Sequence, residues 1–332
     1  MSPAEGTETG RRWLITGGCG FIGRHLVAEL CRREVERVVV LDDLSVGTRD
    51  DLVRAAPHGA VGDSDADRVQ LIVGDIRDAD ACRQAAAGMD VVVHLAAQTG
   101  VPISVDSPML DCELNVISLL NVLEAARHAG TSRFIFASSG APAGDATPPI
   151  SELTLPKPRS PYGASKLAGE GYCRVYHATF GLETVALRFG NVYGPLSGHK
   201  TSVVSKFIRQ AMMGEPLEIY GDGSQTRDYI YVCDLVEAIL AASSKPNVGG
   251  ELFQVATGAE TDVGTLAERL ADALQEAGVD RPRIHHSAER LGDVQRSVAD
   301  TSKSRDVLGW VARTDLREGL AETVKSALAT SG

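Results

Sequence analysis

The sequence predicts an α/β protein, with a doubly wound parallel sheet followed by a smaller α/β domain. Three observations point there. Short β-branched runs alternate with helix-period stretches in the first part of the chain, a glycine triplet stands between the first strand and the first helix, and polar residues collect where the strands end. In such sheets ligands gather at the carboxyl ends of the strands.

Trp13 to Ile15 end a buried strand and Phe21 to Leu30 carry an amphipathic helical pattern, so Gly17, Gly20 and Gly23 fall at the turn. Gly17 permits a tight turn, Gly20 lets the backbone approach a phosphate, and Gly23 lets helix and strand pack closely. The helix start at Phe21 and Ile22 adds N–H groups and a positive dipole end, which together make a pyrophosphate seat. The spacing is Gly-x-x-Gly-x-x-Gly, not the Gly-x-Gly-x-x-Gly of dehydrogenases. Arg37 to Leu41 is the second strand and ends in Asp42-Asp43, about 20 residues past the glycines, where a ribose 2′-hydroxyl is expected. A carboxylate at Asp42 would accept from that ribose and repel a 2′-phosphate, which favours NAD over NADP.

Ser45 to Asp67 is polar and reads as a surface connection with a short helix at Arg49 to Ala55. Val69 to Val73 is the third strand, leading into Gly74-Asp75-Ile76, and Ala79 to Ala87 an alanine-rich helix. Asp90 to Ala97 is the fourth strand, and its small end residues, Leu95-Ala96-Ala97, would let a flat cofactor approach the backbone. Asp106 to Gly130 reads as one long helix bearing Asn115, with Gly130 as its C-cap. Arg133 to Ala137 is the fifth strand and delivers Ser138-Ser139. After a Pro-rich stretch, Pro161 opens a helix on which Tyr162 and Lys166 share one face. Glu183 to Phe189 is the sixth strand. Residues 11–189 are thus expected to form a Rossmann-type dinucleotide domain to which 230–257 return, with 190–229 and 258–330 as a smaller substrate domain and 1–10 as a disordered leader.

The 332 residues, 43% of them hydrophobic, suffice for a large core, and a soluble globular protein is expected. A net charge of −11 without a basic stripe argues against nucleic acid or an anionic membrane as partner. No apolar run reaches the ~18 residues of a membrane span. The six cysteines show no metal or disulfide spacing, so no metal is expected and a reducing cytoplasm is the default setting.

Taken together, Thr16-Gly-Gly-Cys-Gly-Phe-Ile-Gly23, Gly74-Asp75-Ile76, His94-Leu-Ala-Ala97, Ser138-Ser139, Tyr162-x-x-x-Lys166, Arg188-Phe-Gly-Asn-Val-Tyr-Gly-Pro195, Gly221-Asp-Gly223, Gln225-Thr-Arg-Asp-Tyr229 and Arg290-x-Gly-Asp293 resemble the extended short-chain dehydrogenase/reductases, and within them the nucleotide-sugar 4-epimerases. The resemblance covers nearly the whole chain. It implies NAD held by Gly17, Gly20, Phe21, Ile22, Gly23, Asp42, Asp75, Ile76, Leu95, Ala96, Ala97, Asn115, Tyr162 and Lys166. It also implies Ser139, Tyr162 and Lys166 as the catalytic set, with Tyr162 exchanging a proton with a sugar hydroxyl. A phenol of pKa ~10 is a poor base at neutral pH, so a nearby ammonium and the nicotinamide charge are expected to lower it.

On the substrate side the resemblance implies a UDP-sugar, with Ser139 and Tyr162 at the sugar, Arg227, Arg290 and Asn191 on the diphosphate, Asp293 on the nucleotide ribose, and Ser297 beside the sugar 2-substituent. Gly140-Ala141 stand where a 4,6-dehydratase would carry Asp-Glu, and Pro142-Ala143-Gly144 replace the usual Val-Tyr-Gly. The expected activity is 4-epimerisation through a transient 4-keto sugar, of glucose/galactose, N-acetylhexosamine or uronate type. A 4-ketoreductase using NADPH and a catalytically inactive dinucleotide sensor are the alternatives. Relatives pair through helices corresponding to 106–130 and 161–180, so a homodimer is expected.

Overall fold

In the computed structural model, residues 11–56, 61–64, 67–198, 200–289 and 294–331 are described. The strands are β1 (Arg12–Thr16), β2 (Arg37–Asp42), β3 (Val61–Gly62), β4 (Val69–Val73), β5 (Val91–His94), β6 (Arg133–Ser139), β7 (Thr184–Phe189), β8 (Asn191–Tyr193), β9 (Leu217–Tyr220), β10 (Thr226–Arg227), β11 (Tyr229–Tyr231), β12 (Glu251–Val255), β13 (Thr261–Asp262) and β14 (Ile284–Ser287). The helices are α1 (Phe21–Arg32), α2 (Arg49–Ala55), α3 (Ala79–Ala86), α4 (Val101–Asp106), α5 (Pro108–Cys112), α6 (Ser118–Ala129), α7 (Pro161–Phe180), α8 (Val203–Met212), α9 (Val232–Ser244), α10 (Val263–Glu276) and α11 (Leu316–Ser331).

Eight strands make one sheet in the order β12-β7-β6-β5-β1-β2-β4-β3, and the neighbours from β6 through to β3 run parallel. The reversal of strand order beside β1 is the switch point at which doubly wound sheets take their ligands. Continuous apolar runs explain why this sheet is buried on both faces: Trp13, Leu14, Ile15, Val38, Val40, Val91, Val92 and Val93 are all solvent-inaccessible.

By contacts, the chain divides into two compact units. The first holds 1–144, 155–188 and 236–253, and the second 145–154, 189–235 and 254–332. In the first, Leu14, Val92, Leu119, Leu123, Phe134 and Phe136 belong to the core packed between sheet and helices. In the second, Val204, Phe207, Leu217, Leu266, Leu270 and Leu320 form a separate core. There β14 pairs with β9, β11 with β8 and β10 with β13, each as a two-stranded ribbon.

The stretch read as one helix from Asp106 to Gly130 is built differently. Helix begins at Val101, breaks at Ser107 (φ −141°), restarts with Pro108 and passes through a π-helical segment at Glu113–Ile117 before continuing as α6. Pro108 cannot donate to the preceding turn, which accounts for the break. The wide π turn falls where Asn115 reaches across to another chain segment. Gly130 does cap the end, at φ +72°. Pro161 opens α7 as expected, with the Ser160 hydroxyl accepting from Gly163 N–H.

Among the described residues, no helix is long and apolar enough to cross a membrane.

Candidate active site

The glycine turn is a cradle from which side chains are excluded. Gly17 has φ +70°, and a Cβ there would lie 2.7 Å from Ala96 N. A Cβ on Gly23 would collide with Gly17 O, so helix α1 can approach the turn only without one. No side chain caps the start of α1 at Gly20, which leaves its positive end for an anion. The first turn of this helix, the glycine backbone and the adjacent ends of β1 and β5 therefore fit a dinucleotide pyrophosphate.

The remaining expected cofactor residues lie in the same unit. Asp42 is buried at the end of β2, where one oxygen accepts from Cys19 N–H (2.8 Å) and the other from Leu44 N–H (2.9 Å). Each oxygen keeps a lone pair for a ribose hydroxyl. Burial raises the Asp42 carboxyl, and these two backbone bonds oppose that shift. Asp75 is half-buried and bonded by Arg77, whose guanidinium and backbone N–H hold its carboxyl below the usual range despite some burial. Ile76 is buried, and Leu95, Ala96 and Ala97 leave β5 half-buried.

Asn115 is bonded to neighbouring segments of the chain. Its amide donates to Gln98 O (2.9 Å) and Asp111 Oδ1 (2.8 Å), and its oxygen accepts from Gln98 N–H (2.9 Å). Both donors are used and the amide oxygen keeps one lone pair, so Asn115 fixes the loop leaving β5 and retains only an acceptor.

Ser139 ends β6, and Tyr162 and Lys166 stand one turn apart on α7, which packs against β6. The Ser139 hydroxyl accepts from Ala141 N–H at 3.2 Å and lies near enough to the Tyr162 phenol to act on it. Lys166 is 3% exposed; its ammonium donates to Ala137 O at 2.8 Å and lies 5.9 Å from the Tyr162 ring centre. Burial lowers Lys166 to about 8. Burial raises the Tyr162 phenol, the Ser139 hydroxyl partly offsets that, and the Asp111 charge adds to it. The expectation that the lysine lowers the phenol is thus not met by the protein's own groups, because desolvation outweighs them.

Sequence reading left two buried polar clusters beside the set without a role. His94, 2% exposed, shares a 2.8 Å hydrogen bond with Thr16 Oγ1, which also accepts from Ala96 N–H. Glu170 accepts both arms of Arg188 (2.7 Å each) and the Ser138 hydroxyl (2.6 Å). Thr16, His94, Ser138 and Arg188 lie in the quoted stretches of sequence and Glu170 does not, and only packing reveals that they are buried and paired.

In the second unit, Asn191 is exposed on β8 and opposite Tyr229 of β11, two residues from Arg227. Arg227 Nη1 donates to Thr226 O (2.7 Å) and Val294 O (2.5 Å). Asp228 is buried and gathers the N–H groups of Thr257 (2.8 Å) and Gly258 (2.9 Å), the Thr257 hydroxyl and, at 3.3 Å, Ala299 N–H. It therefore ties the Arg227 strand to the segment that follows half-buried Ser297. Arg290 and Asp293 lie outside the described residues. A cavity of about 270 Å³ is lined by Tyr220, Asp222, Ser224, Gln225, Glu289 and Gln295, with Lys206 Nζ 4.1 Å over the Tyr220 ring centre. Tyr220 was not singled out from sequence, although it directly precedes the Gly221-Asp222-Gly223 stretch.

His94 gives a testable consequence. Burial lowers it from 6.5 to about 3, so between those values the unfolded chain holds one more proton than the folded one. Stability is then fully kept above the unfolded value and falls as pH drops toward the folded one, by at most about 1.4 kcal/mol per pH unit. His94→Gln should flatten the fall of melting temperature between roughly pH 7 and pH 4.5. An unchanged slope would show that His94 is not the titrating group.

Comparison with known proteins agrees with this geometry. The chain is 39% identical over 319 residues to a UDP-glucose 4-epimerase of Mycolicibacterium smegmatis, covering 95% of this chain and 97% of that one. The crystal structure of UDP-glucose 4-epimerase from Thermotoga maritima with UDP-glucose superposes with a TM-score of 0.86 at 34% identity, over 97% of this chain and all of that one. A UDP-N-acetylglucosamine 4-epimerase from Methanobrevibacter ruminantium, in complex with UDP-N-acetylmuramic acid, gives 0.86 at 32% identity, over 97% and 99%. Residues 13–256 match the model of the NAD dependent epimerase/dehydratase family, and the chain belongs to that family.

Proposed function

We propose that the protein is an NAD-dependent 4-epimerase of a UDP-sugar. The observation that carries this is Tyr162 one turn from a buried Lys166 on a helix packed against the strand that ends in Ser139, in a chain whose relatives by sequence and structure include 4-epimerases. Bound NAD would supply a reversible hydride acceptor and a positive ring that favours the phenolate. Tyr162 takes the proton of the C4 hydroxyl as the C4–H leaves as hydride, and a 4-keto sugar results. Ser139, at the end of β6 beside Tyr162, orients that hydroxyl. Lys166 holds positive charge next to the phenol and places a donor for the nicotinamide ribose. Once the ketone has turned its other face, Tyr162 returns the proton and the C4 configuration is inverted. Elimination of water to a 4-keto-6-deoxy product would need an acid and a base, and Gly140-Ala141 supply neither.

For the substrate, we assign the diphosphate to Arg227, Arg290 and Asn191, and the nucleotide ribose to Asp293. The Tyr220 cavity suits a neutral base: an aromatic wall and amides recognise it, while Asp222 and Glu289 disfavour a phosphate. Ser297 is small, and Ala143 stands where an aromatic ring is usual, so the reading extends to sugars with an enlarged 2-substituent. We further infer a homodimer, because Met109, Leu110, Ile117, Tyr172 and Val175 expose apolar side chains along α5, the π segment and α7. A cytoplasmic setting is consistent with six free cysteines.

Purified protein should interconvert a UDP-sugar pair with no net change in nicotinamide absorbance, which separates it from a ketoreductase and from an inactive sensor. Tyr162→Phe should retain NAD while turnover falls about 10²–10⁴-fold; more than a tenth of wild-type turnover would refute the assignment. In a panel of UDP-sugars, wild type should accept an N-acetylhexosamine. Ser297→Tyr should cut kcat/KM for that substrate by ~100-fold while sparing the plain hexose, and equal losses would show that Ser297 is not a gate. Light scattering should read twice the 35.1 kDa chain mass, and Ile117→Asp with Val175→Asp should return it to one chain.

A further inference from the structure

Asp111 is a buried acid beside this machinery that the mechanism leaves unused. It sits on α5, which packs against α7, and is 1% exposed. Its one bond from a neighbouring side chain is from the Asn115 amide at 2.8 Å, a neutral donor that leaves the carboxylate charge uncompensated. Lys166 is the complementary case. Its ammonium is buried, donates to one neutral carbonyl and otherwise faces the Phe136 and Tyr162 rings, at 5.0 and 5.9 Å. A charge so placed needs a counter-charge, because burial removes hydration that one carbonyl does not replace.

The groups within electrostatic reach of Lys166 are Asp111, Glu170, Cys173 and His94. Glu170 is already matched by bidentate Arg188. Burial pushes the Cys173 thiol far up and His94 far down, so both are neutral. Other charged residues on elements packed against α7 do not compete. Asp106 and Glu113 are exposed, and Glu124 is engaged by Arg127 and the Tyr176 hydroxyl. Asp111 is the remaining carboxylate without a cationic partner in that set.

We propose that Asp111 is the counter-charge of Lys166, a positioning residue that keeps the ammonium protonated and holds the Tyr162 phenol in its acid form until positive charge arrives beside it. Both effects follow from one negative charge: it favours a neighbouring cation and disfavours a neighbouring phenolate. A residue that acts first as base and then as acid needs the two forms balanced. This rests on the reading of Tyr162 and Lys166 as the proton-transfer pair.

The test uses holoenzyme. Asp111→Asn keeps the shape and can still accept from Asn115. It should move the alkaline limb of the kcat/KM profile down by about 1–3 pH units, and Asp111→Glu should move it back. An unmoved limb overturns the assignment even if turnover falls. A second arm is independent of activity: Asp111→Asn should lower the melting temperature of wild type but raise that of Lys166→Met, where the carboxylate would otherwise be a lone buried charge. The same sign in both backgrounds overturns the proposal, as does a double variant that folds no better than Lys166→Met. A wild type inert toward UDP-sugars with the reversed sign intact would instead sink the epimerase reading and leave this pairing standing.

Discussion

The close approach of β1 and β5 at Gly17 and Ala96 is the constraint on which the site depends. With 2.7 Å from a hypothetical Cβ to a backbone nitrogen, any L side chain at Gly17 meets both a steric clash and an unfavourable φ. Because the strand ends come this near, the chain can turn at once into α1, and an uncapped helix start faces the turn. Thr16 then joins the two strands, accepting from Ala96 N–H and bonding His94. The pyrophosphate seat and the floor beside it are therefore one backbone arrangement rather than two separate features.

Around it, buried polar groups bond one another, with Arg188 Nη1 left over. Asn115 gives two donors and one acceptor to its neighbours and thereby holds the loop after β5. Glu170 and Arg188 neutralise each other and fix Ser138, next to Ser139. Such networks rigidify when each member is satisfied, and a residue whose charge is left over stands out against them. Asp111 and Lys166 are those residues here. Their burial sets the proton affinity of the site, which the identity of Tyr162 and Lys166 alone does not.

The second unit repeats the pattern on a smaller scale. Asp228 gathers backbone donors from Thr257, Gly258 and Ala299, so the short strands bearing Asn191 and Arg227 are pinned by one carboxylate. Lys206 covers one face of Tyr220 and leaves the ring as a wall of the neighbouring cavity. Loops and two-stranded ribbons are thus tied to a helical core, where side-chain size changes at little cost to the large sheet.

What the sequence by itself determined is the sheet class, the glycine turn, the helix face shared by Tyr162 and Lys166, and the family resemblance. These follow from local rules: periodicity, the φ demands of glycine and the 3.6-residue turn. The tertiary structure decided which polar groups are spent. Asn115 looked available on a continuous helix, yet a π turn and a bond to residue 98, distant in sequence, commit it to the fold. Tyr162 looked set for a lowered pKa, yet burial raises it. Asp111, Glu170 and Asp228 read as ordinary acids in a chain rich in them. Burial and pairing are properties of contacts between distant segments, and a pattern of spacing along one segment does not encode them.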